Sequence, residues 1–451
     1  MIAPGGALWG HPKGVFLLSF TELWERFSYY GMLALLVLFL TAGPESGGFG
    51  WPRESALKLY GFYTGVIFTM PLLGGWVANQ WWGERRCILA GGSLLIAGNA
   101  CLAASAALGR SGGAPDPVDT AVSALFFGGL AAIALGTGLL KPTISSIVGR
   151  FFEDGDRRRD AAFAVFFVGI YIGSLSASLV VGFLGERVAW HWGFAAAAAG
   201  MTLGMLAYLS KQREYLADLG KAPVHGAGIT HRALTGEEWD RIRVILVQGL
   251  FTIAYAAAFY QKGGLLTLFA REHLDRRVGG WEVPVTWLLT VSTATFIIAT
   301  PLLAKLWQRL EARERDPGAS TKLAWGLMAL AAGYVAVAWV APTLGETQAL
   351  KPSWGWLVLT YVCFGIGDAL VWPIQISLVS RLAPAHLSAL LVGGWYVTIG
   401  IGSWLTGYIG ALGFAWGLKP LFFAIAAALT IVGGLLWSLS PRLRSMEHSG
   451  A

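Results

Sequence analysis

The sequence predicts an all-α protein that crosses a membrane twelve times, in two groups of six helices. Three observations carry this. Of 451 residues, 55% are hydrophobic and only 13% are charged, with a mean hydropathy of +0.59, whereas a soluble chain has roughly a quarter charged residues. The apolar residues fall into stretches at about 15–41, 57–80, 86–109, 118–149, 160–184, 190–210, 241–270, 284–308, 321–342, 354–381, 386–413 and 419–440. About 20 helical residues at 1.5 Å each cover a hydrocarbon core of about 30 Å. The longest polar connection, about Lys211 to Asp240, separates the sixth stretch from the seventh. The expected organisation is therefore a six-helix bundle over 1–210, a cytoplasmic linker over 211–240, and a second six-helix bundle over 241–451.

An even number of spans puts both termini on one side. With the N-terminus inside, the inner loops hold most of the basic residues, including Arg85, Arg86, Arg150, Arg157, Arg158, Arg159, Arg313, Arg315, Arg442 and Arg444. Positive charge marks the cytoplasmic side, so both termini are expected in the cytoplasm. The same concentration in alternate loops explains the net charge of +7 without a nucleic-acid partner. Alanine- and glycine-rich helices fit a GC-rich bacterial source and an inner-membrane location. Cys87, Cys101 and Cys363 lie in apolar stretches without metal-ligand spacing and read as small core residues. No cleavable signal is expected, because the first apolar stretch is too long and carries charges. No zinc-protease or nucleophile-elbow motif occurs, and the histidines His11, His191, His231, His273 and His386 sit at stretch ends or in loops. No cofactor, metal or catalytic residue is expected.

The first stretch contains Thr21-Glu22-Leu23-Trp24-Glu25-Arg26-Phe27-Ser28-Tyr29-Tyr30-Gly31. Each charge near a bilayer centre costs about 2.5–3.5 kcal/mol on insertion scales. Glu22, Glu25, Arg26 and Tyr29 follow i, i+3, i+4, i+7 spacing and share one helical face. That face must look into protein and not lipid; a charge pair that merely fixes packing would use the same residues.

The second stretch ends Gly74-Gly75-Trp76-Val77-Ala78-Asn79, followed by Glu84-Arg85-Arg86. The fourth ends Gly138-Leu139-Leu140-Lys141-Pro142, which places a lysine deep in an apolar run where it can offset a carboxylate of the first. Pro142 removes a helix hydrogen bond and can kink the chain. In the fifth stretch, Gly169-x-x-x-Gly173 reads as close helix packing. Between the halves, Gly220-Lys221-Ala222-Pro223 and the glycines after it have linker composition. Thr235-Gly236-Glu237-Glu238 reads as an N-cap with first-turn acids opening the seventh helix.

Together these stretches resemble the proton-dependent oligopeptide transporter family of the major facilitator superfamily. The resemblance is carried by Glu22-x-x-Glu25-Arg26-Phe27-x-Tyr29-Tyr30-Gly31, Gly138-x-x-Lys141-Pro142, Arg158-Arg159-Asp160-x-x-Phe163 with Phe166-Phe167-Val168-Gly169, Gly367-Asp368-Ala369-Leu370-x-x-Pro373, and Leu382-Ala383-Pro384. It runs over nearly the whole chain. The resemblance implies the major facilitator fold and a proton-coupled symporter that imports di- and tripeptides by alternating access. It implies a coupling cluster of Glu22, Glu25, Arg26 and Lys141, with Arg26 and Lys141 also facing a substrate carboxylate. Protons, a small peptide and the lipid bilayer are the implied partners.

Departures from the family pattern bear on the substrate. Asn79 stands for the Asp of the second-stretch motif, Tyr260 for a Glu before Gln261, Tyr171 and Thr293 for asparagines, Phe68 for a Tyr, and Asp368 for a Glu. Lys262 adds a new cation. The substrate-contacting set expected here is Arg26, Tyr29, Tyr30, Phe68, Lys141, Tyr171, Tyr260, Gln261, Thr293, Asp368 and Trp395. Because residues expected to hold a peptide's amino end have changed, a proton-coupled carrier of an anionic or aromatic solute stands as the alternative. A transport-inactive sensor or a membrane enzyme is a third reading. Bacterial members often carry two extra helices between the halves, for which 211–240 is too short.

Overall fold

Helix formation follows the apolar stretches closely. The structure, a computed structural model, describes residues 6–111, 120–152, 156, 158–223, 234–345 and 350–447. Its helices are α1 (Lys13–Thr41), α2 (Arg53–Val77), α3 (Glu84–Ser111), α4 (Thr120–Gly149), α5 (Arg158–Phe183), α6 (Trp190–Leu216) and α7 (Gly236–Phe259). They continue with α8 (Leu265–His273), α9 (Val285–Glu311), α10 (Ala319–Val340), α11 (Gly355–Leu382), α12 (Ser388–Trp416) and α13 (Leu418–Glu447). Among the described residues, 12 spans are long and apolar enough to cross a membrane, the seventh combining α7 and α8 over Gly236–His273. The chain is a multi-pass membrane protein. Two short hairpins, Ala7–Leu8 with His11–Pro12 and Arg277–Val278 with Trp281–Glu282, make up the described β-strands.

The expected start of the seventh helix is present as a full capping box. Thr235 Oγ1 accepts from Glu238 N at 3.2 Å, and Glu238 Oε2 accepts from Thr235 N at 2.9 Å, which satisfies two donors that a helix N-terminus otherwise leaves open. Of the connection before it, residues 224–233 lie outside the described residues, as do Glu153, Asp154, Gly155 and Arg157 of the loop before α5. Exposed tryptophans cluster near helix ends, among them Trp81, Trp82, Trp192, Trp239, Trp339 and Trp416, as amphipathic rings at a membrane interface do.

The helices group into two compact units. The first comprises Met1–Pro52 and Thr69–Gly226; the second comprises Arg53–Phe68 and Ala227–Ala451. Within the first, α1 packs against both α5 and α6, and α3 against α4 and α6. The depth of α1 is what its charges require. It is the most enclosed of the spans, with 83% of its apolar window buried. The α1–α5 contact is close because glycine faces backbone: a Cβ on Gly169 would lie 2.6 Å from Ser19 O, and one on Gly173 would collide with Leu23 O. Ser19 Oγ also donates to Val165 O at 3.0 Å. The expected packing role of this glycine pair is what the structure shows.

In the second unit, α10 packs on α11 and α13, α9 on α11, and α7 on α12. The stretch Arg53–Phe68 of α2 belongs here, seated on α12 where Gly61 and Gly65 meet the backbone of Gly407 and Gly400.

Candidate functional site

The charged face of α1 is buried as a unit. Glu22, Glu25 and Arg26 are 2%, 0% and 4% exposed. Arg26 Nε lies 3.2 Å from Glu22 Oε1 and is also hydrogen-bonded to Glu25 Oε2. Thr137 Oγ1 on α4 lies 3.4 Å from the other Glu25 oxygen. One turn further along α4, Lys141 sits where it feels the charges of Arg26, Glu25 and Glu22. Two carboxylates and two cations thus balance inside one unit. The guanidinium plane also lies over the rings of Tyr29 and Tyr30, at 5.3 and 5.8 Å, a cation–π arrangement that favours the charged form in a dry site.

This cluster is not saturated. Glu22 Oε2 and Arg26 Nη2 are buried and have no hydrogen-bond partner among the described residues. A buried polar atom left unpaired costs about 1–3 kcal/mol, more when charged. A proton on Glu22 and a carboxylate beside Arg26 are the two species that would relieve these atoms.

The α4 backbone is shaped around Lys141. Pro142, within α4, lacks the N–H that would bond Gly138 O, and Gly74 of α2 packs directly on that carbonyl. At the α2–α3 turn, Arg85 Nε donates to Leu219 O at 2.7 Å and its Nη2 to Ala217 O at 2.6 Å, capping the end of α6. Glu84 pairs with Arg150 at 2.7 Å and accepts from Ser146.

The second unit holds a different site, at the break between α7 and α8. Tyr260–Gly263 forms a 3-10 turn there. Freed carbonyls inside a membrane span need partners, and hydroxyls supply them: Tyr60 to Tyr260 O at 3.1 Å, Tyr361 and Thr267 to Lys262 O at 3.1 and 2.8 Å, Tyr334 to Ala258 O at 2.7 Å, and Thr406 to Ala257 O at 2.9 Å. Lys262 Nζ lies 3.9 Å from the centre of the Phe259 ring. Asp368, on α11, accepts a hydrogen bond from Tyr255 Oη and feels the charge of Lys262. Aromatic rings stand alongside: Phe68 packs on Tyr260 at 5.3 Å and on Trp372 at 6.4 Å, and Trp372 on Trp395 and Tyr396 at 5.2 and 6.3 Å.

Two residues expected to contact substrate, Gln261 and Trp395, are buried. Gln261 is fully buried, with Nε2 donating to Thr406 O at 2.9 Å, so its amide ties the Tyr260–Gly263 turn to α12. Trp395 is 2% exposed and packs behind Trp372 and Tyr396. Each keeps one buried polar atom, Gln261 Oε1 and Trp395 Nε1, without a hydrogen-bond partner among the described residues. Tyr29 is similarly enclosed at 2% exposure, under Arg26. Tyr30, Lys141, Tyr171, Tyr260, Thr293 and Asp368 are half-buried, and Phe68 is 6% exposed. Sequence reasoning missed Thr137, Tyr255, Trp372 and Tyr396. The helical spacing of Thr137 to Lys141 and of Asp368 to Trp372, both i, i+4, was the available signal.

Fold and site define a polytopic membrane transport protein with a self-neutralised charge cluster in its first helix. A sequence model of the POT family matches residues 85–225 and 224–415, and the chain belongs to that family. It is similar to the peptide transporter YePEPT of Yersinia enterocolitica, at 29% identity over 90% of this chain and 89% of that protein. It is also similar to the di-/tripeptide transporter of Lactococcus lactis, at 27% identity over 95% and 94% of the two chains. A crystal structure of peptide transporter POT in complex with sulfate superposes with a TM-score of 0.89 at 27% identity, covering 99% of this chain and 98% of that one.

Proposed function

We propose that the chain is a proton-coupled symporter that imports small peptides by alternating access, with Glu22, Glu25, Arg26 and Lys141 as its coupling residues. The observation that carries this reading is the buried α1–α4 cluster, in which two carboxylates hold Arg26 yet leave one oxygen of Glu22 and one nitrogen of Arg26 unpartnered. Protonating one carboxylate leaves the cluster with one positive charge in excess. Arg26 and Lys141 are then available to a substrate carboxylate, so proton and substrate each favour the other's binding. Relatives named as peptide and di-/tripeptide transporters support peptides as the cargo. They do not favour the anionic or aromatic solute, and they are transporters and not enzymes.

The first unit supplies the cations for a carboxylate, together with Tyr30 and Tyr171. The second supplies Asp368 for an ammonium, bordered by Phe68, Tyr260, Thr293, Trp372 and Tyr396. The two six-helix halves, residues 1–210 and 241–451, act as the moving parts around the 211–240 linker. Both termini face the cytoplasm of a bacterial cell whose inner membrane holds the protein, as the basic residues of alternate loops support.

The test is uptake of labelled tri-alanine into proteoliposomes, with and without an inward proton gradient and a negative-inside potential. Gradient-dependent accumulation is expected. No uptake by folded, correctly inserted protein would overturn the peptide assignment.

A further inference from the structure

Lys262 is a charged residue for which the coupling cluster has no use. It sits at the broken point of a membrane span, a backbone geometry that membrane proteins keep where a site is lined by protein and not lipid. Its own carbonyl is held by two hydroxyls, Tyr361 and Thr267, so the position of the residue is fixed. Its ammonium lies over Phe259 and makes no ion pair within 4.0 Å among the described residues. The carboxylate whose charge acts on it is Asp368, and Phe259, under the ammonium, stacks at 5.3 Å on Tyr255, the residue bonded to Asp368. Asp368 is turned toward Tyr255, which donates to Oδ1. The two charges therefore stand near each other without neutralising each other by contact. An ammonium over an aromatic face keeps three donors and receives only a cation–π partner.

We infer that Lys262 recognises an acidic side chain on the first residue of the peptide. This rests on the reading above, in which Asp368 takes the amino end. Of a peptide's side chains, the one closest to its α-ammonium is that of the same residue. If Asp368 holds that ammonium, the charge next to Asp368 meets that side chain. A lysine there attracts Glu or Asp in the first position and repels Lys or Arg. An acidic residue at the second position is not matched in this way.

The experiment is competition against uptake of labelled Ala-Ala in proteoliposomes, with unlabelled Glu-Ala, Gln-Ala, Lys-Ala and Ala-Glu. In the wild type, Glu-Ala is expected to compete roughly tenfold better than Gln-Ala, the scale of one charge-assisted hydrogen bond. Lys-Ala should compete worst, and Ala-Glu should show no such gain over Ala-Gln, added as its uncharged reference. The preference should disappear in Lys262→Gln and persist in Lys262→Arg. Equal competition by Glu-Ala and Gln-Ala in the wild type overturns the inference even if Lys262→Gln fails to insert. Survival of the preference in Lys262→Gln also overturns it. Either result leaves the peptide reading standing, since labelled Ala-Ala is still taken up; loss of wild-type Ala-Ala uptake removes both.

Discussion

Arg26 Nε reaches Glu22 Oε1 at 3.2 Å across one helical turn while also bonding Glu25 next to it in sequence. One nitrogen thereby ties together two carboxylates of the same buried face. Any change of protonation at either carboxylate alters how firmly the guanidinium is held.

Glu25→Gln keeps the shape of the side chain and removes its charge. Proton-driven peptide accumulation should be lost, while counterflow exchange, which needs no net proton movement, should stay partly intact. Parallel proteoliposome assays of the two modes check this. Equal loss of both would show that Glu25 serves structure and not coupling.

Tyr255→Phe removes the hydroxyl that donates to Asp368 and leaves the ring stacked on Phe259 at 5.3 Å. A hydrogen bond to a charged group contributes about 1.5–3 kcal/mol. The KM for Ala-Ala should rise roughly tenfold, in line with that range, with the maximal rate little changed. An unchanged KM would argue that Asp368 does not touch the substrate.

Gly173→Val would drive a branched side chain into Leu23 O and the Arg26 Cβ, forcing α5 away from α1. Overpacking of this kind costs about 1–3 kcal/mol. Because the displaced residues belong to the cluster, uptake should fall together with the melting temperature in detergent. Gly128→Val is the control, since no atom lies within 4 Å of its new Cβ, and it should be nearly silent.

Arg85→Ala removes two short bonds to the carbonyls of Leu219 and Ala217 at the end of α6. A melting temperature lower by several degrees is expected, from about 1–3 kcal/mol for carbonyl groups left without partners. Arg85→Lys should not restore it, because a single ammonium cannot reproduce the fork of a guanidinium. Full rescue by lysine would mean that charge alone matters at this position.

The sequence by itself determined the membrane class, the twelve spans and the charged face of α1. Hydrophobic length and helical spacing are local properties, and a charge inside an apolar run has nowhere to go except against protein. It also marked Lys141, the Gly169–Gly173 packing pair and the Thr235 cap for the same reason. Only the tertiary structure decided which polar residues are spent on packing. Gln261 Nε2 donates to Thr406 O, and the rings of Trp372 and Tyr396 lie against Trp395. The pairing of Tyr255 with Asp368 joins residues 113 positions apart, and the Arg53–Phe68 stretch of α2 is grouped with the second unit. Such relationships depend on the rotation and depth at which each helix meets its neighbours. That orientation is set by glycine contacts and hydroxyl-to-carbonyl bonds between distant segments, and no local pattern encodes it.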